Sequence, residues 1–274
     1  MSRFMTFVNG SNLFGAFKHL EVFVDDYESL FRFVFAQAAD RWRDTFDAVT
    51  PPQAQHMRVY WYVVDEMDEW DLENPKTKQH LYERFQEDRE VKNRWIGEAT
   101  KRLAGTGANT TKVEQTAFTM CYDDFANWYG KKEGILGGMN RFHYAVEASS
   151  TFIDIQRCGR WKVDLLHKTL NEKGVDVCFA VDFLTLQPAY DVAILVGADA
   201  DGVPGMETVK RAGKQVAVVD LIKGSPAGEG PGRSFATPLK LSADFVVPIY
   251  EAELVRLGIA KKGSEDRLPL RDTD

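Results

Sequence analysis

Short apolar segments alternate with amphipathic ones along most of this chain. Apolar runs bounded by turn-forming residues occupy positions 3–8, 57–65, 151–158, 191–197, 215–221 and 243–249. Runs of this length that are rich in β-branched and aromatic residues predict buried strands. Apolar residues also recur at helical spacing over 26–47, where Asp25 or Asp26 can cap the helix. Strands that alternate with helices predict an α/β protein with a mainly parallel central sheet flanked by helices.

Two later segments are predicted from the same pattern. The segment "GMETVKRAGK" predicts a short helix that ends at Gly213 in the left-handed conformation. The segment "VDVCFAVDFLTLQ", residues 175–187, fits two structures, because its alternate apolar residues predict a strand whereas the stripe through Val177 and Val181 predicts a helix. Periodicity alone leaves both structures open. The segment before it, "WKVDLLHKTLNEKG", is predicted only to lead into a turn.

The organisation of the chain follows from where this alternation is interrupted. We expect the 274 residues to form a single domain over 1–274, with a charged and mostly helical insertion at 66–150. Pro51-Pro52 is predicted to end the first helical segment, and the glycine-rich segment 224–234 is predicted to be a flexible loop. The polar tail at 262–274 is expected to be loosely held.

Composition narrows the class of protein only slightly. Hydrophobic residues make up 44% of the chain and charged residues 27%, which is typical of a globular protein. No apolar stretch approaches the roughly 18 residues of a membrane span, and no signal peptide is recognisable, so we expect a cytoplasmic protein without a membrane partner. The three cysteines lack metal-ligand spacing and are expected to be reduced. The net charge of −7 argues against a protein that binds nucleic acid nonspecifically over its whole surface, but it does not exclude a nuclease.

The candidate chemistry lies where two predicted strands end. Asn9 and Asn12 belong to the group Asn9-Gly10-Ser11-Asn12, which is predicted to form a turn after the first strand. Asp199 and Asp201 follow the strand at 191–197. If the two strands are neighbours in a parallel sheet, all four side chains lie at the same edge, where such sheets bind ligands. Clustered carboxylates repel each other unless a cation such as Mg²⁺ or Mn²⁺ is present. An isolated D-x-D pair is also typical of turns and helix caps, so the pair alone leaves a plain polar turn open.

Four separated segments together resemble one family. The segments "FMTFVNGSNLFG", "EKGVDVCFAVDFLTLQ", "DVAILVGADADGVPGMETVKRAGKQVAVV" and "PLKLSADFVVPI" occur in the order and spacing of the NYN domain family, the LabA-like branch of the PIN-like ribonucleases. The resemblance covers most of the chain outside 66–150. It implies a Rossmann-like PIN/NYN fold, cleavage of RNA that depends on Mg²⁺ or Mn²⁺, and a helix rather than a strand from about Asp176.

The resemblance also implies roles for individual residues. Asp176, Asp199 and Asp201 match the acidic positions of the family and are expected to be metal ligands. Asn12 matches its motif asparagine and is expected to support the cluster or orient the phosphate. The catalytic set expected from the resemblance is Asn9, Asn12, Asp176, Asp199 and Asp201. Asp182 matches a later aspartate of the family, and both a structural and a catalytic role are left open for it because it lies six residues after Asp176, off the same helix face.

This chain departs from the family pattern at its first acidic position. Asn9 stands where the family has aspartate, and a neutral amide binds a divalent ion much less well than a carboxylate. The chain is then either a variant with reduced activity or one in which a catalytic aspartate has been replaced. Gly197 and Gly202 stand where the family has a serine and an aromatic residue.

Two functions from different classes follow. The first is a metal-dependent endoribonuclease in which the insertion sets substrate choice or assembly. The second is a catalytically weak NYN-fold module that binds RNA or assembles with protein, including as a homo-oligomer. The basic residues of 157–173 are expected either to guide the RNA backbone or to form an ordinary solvated face; they are Arg157, Arg160, Lys162, Lys168 and Lys173.

Overall fold

The computed structural model describes residues 1–46, 53–226 and 237–263. Three sequence predictions lie wholly or mostly outside these described residues: Pro51-Pro52 as a helix end, the loop over 224–234, and the tail from 264 onward. Within the ranges just given, no helix is both long enough and apolar enough to cross a membrane.

Strands and helices alternate as the hydrophobic pattern predicts. The strands are β1 (Ser2–Asn9), β2 (Val22–Val24), β3 (Ala54–Met67), β4 (Ile153–Asp164), β5 (Thr169–Lys173), β6 (Val192–Val196), β7 (Gln215–Ile222), β8 (Phe245–Tyr250) and β9 (Ala260–Lys262). The helices are α1 (Gly10–Leu20), α2 (Tyr27–Phe46), α3 (Pro75–Glu87), α4 (Arg89–Arg102), α5 (Thr110–Ser149), α6 (Val175–Thr185), α7 (Val203–Arg211), α8 (Thr237–Ser242) and α9 (Glu251–Arg256). Short 3₁₀ turns lie at Gln187–Ala189 and Ala200–Gly202.

Among the described residues, the main sheet has seven strands in the order β5-β4-β3-β1-β6-β7-β8. Strand β1 pairs in parallel with β3 on one side and with β6 on the other, and the β6–β7 and β7–β8 pairs are also parallel. Strands β4 and β5 form an antiparallel pair, and β2 and β9 form a separate two-stranded sheet. The prediction of an α/β protein with a mainly parallel sheet is confirmed, and the arrangement is compatible with a Rossmann-like fold.

The strand order reverses direction beside β1. After β1 the chain adds β3 and β4 on one side, and it then adds β6, β7 and β8 on the other. Without β5, the six strands follow the order 3-2-1-4-5-6 that is typical of doubly wound sheets. In such sheets the carboxyl ends of the two strands at the reversal flank a crevice. Here those two strands are β1 and β6.

The chain divides into two compact units. Unit 1 comprises residues 1–65, 140–159 and 174–274, and unit 2 comprises residues 66–139 and 160–173. The core of unit 1 is built on the buried strands β1 and β6, with side chains such as Phe4, Val8, Ile194 and Val196 packed against helices α1 and α2. All five residues of β6 are buried, as a central parallel strand requires.

Unit 2 has a core of its own. Helices α3 and α4 and the part of α5 before residue 140 supply Leu81, Phe85 and Phe125, and the segment after β4 supplies Leu165. The helical character predicted over 66–150 is present in these three helices. Segment 160–173, which lies outside the predicted insertion, belongs to the same unit.

The structure corrects two predictions of local structure. Asn9, Gly10, Ser11 and Asn12 were expected to form a turn, but α1 begins at Gly10, directly after β1. The Oδ1 atom of Asn9 accepts a hydrogen bond of 3.1 Å from the backbone N–H of Asn12, which makes Asn9 the N-cap of α1. The segment after 158 was expected only to lead into a turn, whereas it continues β4 to Asp164 and returns as β5.

Two other predictions of local structure are confirmed. Residues 175–185 form helix α6, with Phe179 and Phe183 buried on one side. The residue before α6, Gly174, has φ of +99°, a left-handed value that glycine adopts without strain. At the start of α2, Asp26 rather than Asp25 accepts a hydrogen bond of 3.0 Å from the backbone N–H of Ser29.

Candidate active site

One cleft of about 60 Å³ in unit 1 collects four of the five predicted catalytic residues. Its lining residues are Asn9, Asp176, Phe179, Ala180, Ala198, Asp199, Asp201 and Gly202. Asn9 is the last residue of β1, and Asp199 follows β6, so the cleft lies at the reversal of strand order. This volume has room for a few water molecules or a small ion.

Asn9 is the buried member of this group, with 5% of its surface exposed. Its Oδ1 atom caps α1, and its Nδ2 atom donates a hydrogen bond of 3.0 Å to Oδ1 of Asp176. Both ends of the amide are therefore satisfied, as a buried polar group requires. An aspartate at this position could still cap the helix, but it could not donate to Asp176.

Asp176 lies in the first turn of α6 and is exposed. The pKa of its carboxyl group is raised, first by partial loss of contact with water and then by the negative charges of Asp199 and Asp201. The hydrogen bond from Asn9 opposes that rise. Asp199 and Asp201 thus repel the carboxylate of Asp176 across the cleft, and the neutral amide of Asn9 stabilises the ionised form of Asp176.

Asp199 and Asp201 form the wall of the cleft that follows β6. The Oδ1 atom of Asp199 accepts a hydrogen bond of 3.2 Å from the backbone N–H of Asp201, which caps the 3₁₀ turn at Ala200–Gly202. The two alternatives for the D-x-D pair are therefore not exclusive, because Asp199 caps a turn and also lines the acidic cleft.

Asn12 does not line the cleft. Its Nδ2 atom donates a hydrogen bond of 2.7 Å to the carbonyl oxygen of Gly197, which joins the first turn of α1 to the end of β6. Gly197 has φ of +70°, and a Cβ atom there would lie 2.9 Å from the carbonyl oxygen of Asn9. This close approach requires glycine where the family pattern has serine. The packing role of Gly197 was not predicted, although a glycine directly after a buried strand was the available signal.

Asp182 lies outside the cleft. Its carboxylate accepts a hydrogen bond of 3.1 Å from the hydroxyl group of Tyr62, whose side chain is fully buried. Desolvation and the charge of Asp182 raise the pKa of Tyr62, so this hydroxyl stays protonated and donates. Of the two roles left open for Asp182, the contacts favour the structural one.

The cleft has the chemistry of a divalent-cation site but not a preassembled ligand shell. Carboxylate oxygens are the ligands that Mg²⁺ and Mn²⁺ prefer, and a cation would relieve the repulsion that raises the pKa of Asp176. No group of three or more His, Cys, Asp and Glu side chains in the described part of the chain stands close enough together to hold a metal ion. A cation shared by Asp176, Asp199 and Asp201 therefore needs these carboxylates closer together than they lie here.

The basic residues of 157–173 have different surroundings. Arg157 forms an ion pair of 2.7 Å with Glu147, and its guanidinium group lies 4.1 Å from the centre of the Tyr144 ring. Lys168, in unit 2, forms an ion pair of 2.9 Å with Asp124. These two cations are neutralised by carboxylates of their own units, so they are poor candidates for contacts with RNA.

Comparison with known proteins does not assign the chain to a family. No family model matches the chain, and no curated protein matches it. Among solved structures, a protein of unknown function from Vibrio parahaemolyticus RIMD 2210633 is similar over 90% of this chain and 93% of its own, with 15% sequence identity and a TM-score of 0.40. The candidate function therefore rests on the residues of the cleft.

Proposed function

We propose that this protein is a divalent-metal-dependent endoribonuclease of the PIN-like NYN type, with its active site in the cleft between the ends of β1 and β6. One observation carries the proposal: Asp176, Asp199 and Asp201, from two separate segments, line one small cleft at the reversal of strand order. The resemblance of the four segments to NYN domains supports RNA as the substrate.

Each residue of the cleft has a role in this proposal. Asp176, Asp199 and Asp201 hold the cation, and their negative charges are what attract it. A divalent cation bound there would polarise a phosphate oxygen and lower the pKa of a water ligand. Asn9 orients Asp176 by donating from Nδ2 to Oδ1 of Asp176, and Oδ2 of Asp176 takes no part in that hydrogen bond. Asn12 acts as a positioning residue, because its bond to Gly197 holds the two walls of the cleft together.

The start of several helices at the cleft supports a phosphate substrate. Asn9 caps α1, Asp176 lies in the first turn of α6, and the turn at Ala200–Gly202 leads into α7. Helix N-termini carry partial positive charge and present free backbone N–H groups, which favour carboxylates and phosphates.

The proposal is tested by incubating the protein with end-labelled single-stranded and structured RNAs in Mg²⁺ or Mn²⁺, and in EDTA. We expect cleavage that requires the metal and falls by at least about 100-fold in Asp199→Ala, as removal of a catalytic ligand implies. Asp44→Asn, an exposed carboxylate of α2 outside the cleft, is the matched control and should cleave like the parent. Cleavage that persists in EDTA, or that Asp199→Ala retains, overturns the proposal.

A second candidate is RNA binding without cleavage, and the amide of Asn9 favours it. Asn9 removes one carboxylate from the family pattern and is fully used in hydrogen bonds to Asp176 and Asn12. Under this candidate the parent binds RNA but does not cut it, with or without metal. If Asn9→Asp cleaves RNA and the unmodified protein does not, the unmodified protein binds RNA at a nuclease site that lacks one carboxylate.

A further inference from the structure

We propose that the exposed face of the β4–β5 hairpin binds the phosphate backbone of RNA through Arg160, Lys162 and Lys173. This surface lies in unit 2 and its binding does not depend on cleavage in the cleft. The choice of RNA among polyanions rests on the proposed function.

Strand register brings the three cations together. Arg160 of β4 lies directly opposite Lys173 of β5, and Lys162 lies opposite Asn171. Residues 160 and 162 point to the same face because side chains alternate along a strand. All three cations are exposed, whereas Val163, on the other face, is buried in the core of unit 2. One face of the hairpin thus packs and the other presents positive charge.

These like charges lie close together, and no ion pair among the described residues neutralises them. Side chains directly opposite each other in an antiparallel pair have Cβ atoms about 5 Å apart, and like charges at this separation destabilise the pair. Neither Arg160, Lys162 nor Lys173 forms an ion pair with any residue in the described ranges, in contrast to Arg157 and Lys168. The carboxylate nearest in the same register, Asp164, accepts from the backbone N–H groups of Leu166 and His167.

Protection of a sheet edge explains only part of this pattern. Strand β5 is an edge strand, and lysine on an edge strand discourages pairing with another chain. That reason applies to Lys173, but Arg160 and Lys162 lie on β4, which is paired on both sides. A row of three unpaired cations with Thr169 and Asn171 as neighbouring hydrogen-bonding groups has the composition of a phosphate-binding surface.

The test measures RNA binding in EDTA, where no metal-dependent cleavage occurs. Binding of a labelled single-stranded RNA is followed by fluorescence anisotropy from about 50 to 200 mM salt. The variant Arg160→Gln/Lys162→Gln/Lys173→Gln is compared with Arg89→Gln/Lys112→Gln/Lys131→Gln. The control removes the same charge from exposed positions of unit 2 that lie on α4 and α5, outside the hairpin.

We expect the hairpin variant to bind RNA about 10- to 100-fold more weakly than the unmodified protein. The slope of the logarithm of its association constant against the logarithm of the salt concentration should be shallower by about 2. Its melting temperature should be equal to or above that of the parent, because like-charge repulsion has been removed. Equal losses in the two variants, or no loss in the hairpin variant, overturn the inference. Failure of cleavage with intact, hairpin-dependent binding would overturn the proposed function alone.

Discussion

At the scale of single residues, the side chain of Asn9 is both an acceptor and a donor. Its oxygen caps α1, and its nitrogen stabilises the ionised form of Asp176. An aspartate keeps the first interaction and converts the second into repulsion between two carboxylates. The amide therefore gives the cleft a stable metal-free state, in which Asp176 is held in place without a cation.

Asn9→Asp should lower the free energy of unfolding by about 1–3 kcal/mol in the absence of metal, because a buried donor is lost and a charge is added. Mn²⁺ or Mg²⁺ should then raise the melting temperature of the variant more than that of the parent, since the folded state binds the cation. Thermal denaturation with and without metal measures both effects. Asn93→Asp, on the exposed face of α4, is the control; equal stability of Asn9→Asp and the parent without metal contradicts the prediction.

Asp176→Asn should make the metal-free protein more stable near neutral pH. The folded state raises the pKa of Asp176, so its ionised form destabilises the fold at pH 7, and this loss disappears as the pH falls through the raised pKa towards the ordinary value of about 3.9. The gain should be at most about 1 kcal/mol, because Asp176 is exposed and screened. Urea denaturation at pH 7 and about pH 4 should show a gain only at the higher pH; a gain of the same size at both would refute the electrostatic explanation.

At the scale of elements, the cleft is bounded by the direct passage of β1 into α1. The sequence "NGSN" has the composition of a turn, and the same residues serve as an N-cap and first helical turn, so α1 could not be distinguished from a loop by composition alone. The signal available in the sequence was the helical spacing of the apolar residues Leu13, Phe17 and Leu20, all of which the structure buries. By contrast, the alternation of strands and helices was enough to predict that Asn9, Asp199 and Asp201 lie at the same edge of the sheet.

The prediction of other elements required information that hydrophobic periodicity does not contain. Helix α6 was predicted from the resemblance, because periodicity left a strand and a helix open. Val177 and Val181, on the apolar stripe that favoured a helix, are exposed, and the buried side of α6 carries Phe179 and Phe183 instead. Strand β5, "TLNEK", has only one apolar residue and was missed for that reason. The grouping of Arg160 with Lys173 required the strand register, which the sequence does not state.

Gly197→Ala should destabilise the protein more than Gly213→Ala. Both glycines have left-handed φ values, +70° and +80°, but a Cβ atom at Gly213 would meet nothing within 4 Å whereas one at Gly197 would collide with backbone atoms of α1 and β1. The loss should be about 1 kcal/mol at Gly213, from backbone conformation alone, and about 2–4 kcal/mol at Gly197. Chemical denaturation compares the two; equal losses would mean that the close approach of β6 to α1 contributes nothing.

At the scale of the whole molecule, the stability of unit 1 depends on buried neutral histidines. Burial, with Arg157 nearby, lowers the pKa of His143 to about 4, and burial, with Arg32 nearby, lowers the pKa of His56 to about 3. Within the described residues, neither ring nitrogen of His143 has a hydrogen-bond partner, and the ring packs among Trp61 and other aromatic side chains. Protonation of these rings is therefore coupled to unfolding.

The stability of the parent should fall as the pH drops below about 6.5, where histidines of the unfolded chain take up protons that the folded chain excludes. His143 alone should contribute a loss on the order of 3 kcal/mol by pH 4, and His143→Phe should remove that part of the slope. The pH dependence of the free energy of unfolding measures the effect. His80→Phe, at an exposed position of α3, should keep the slope of the parent; a variant at His143 with an unchanged slope refutes the assignment.

The way the chain crosses between its two units has a consequence for evolution. The chain leaves unit 1 at Asp65 and returns at Asn140, and the Nδ2 atom of Asn140 donates a hydrogen bond of 2.9 Å to the carbonyl oxygen of Asp65. It leaves again at Gly159 and returns at Gly174, where the backbones are so close that a Cβ atom on Gly174 would lie 2.8 Å from the carbonyl oxygen of Cys158. Each excursion therefore begins and ends at nearly the same point. Because the two ends of each excursion lie so close together, insertions and deletions within it can be accommodated without moving the ends of β1 and β6 that carry the acidic cleft.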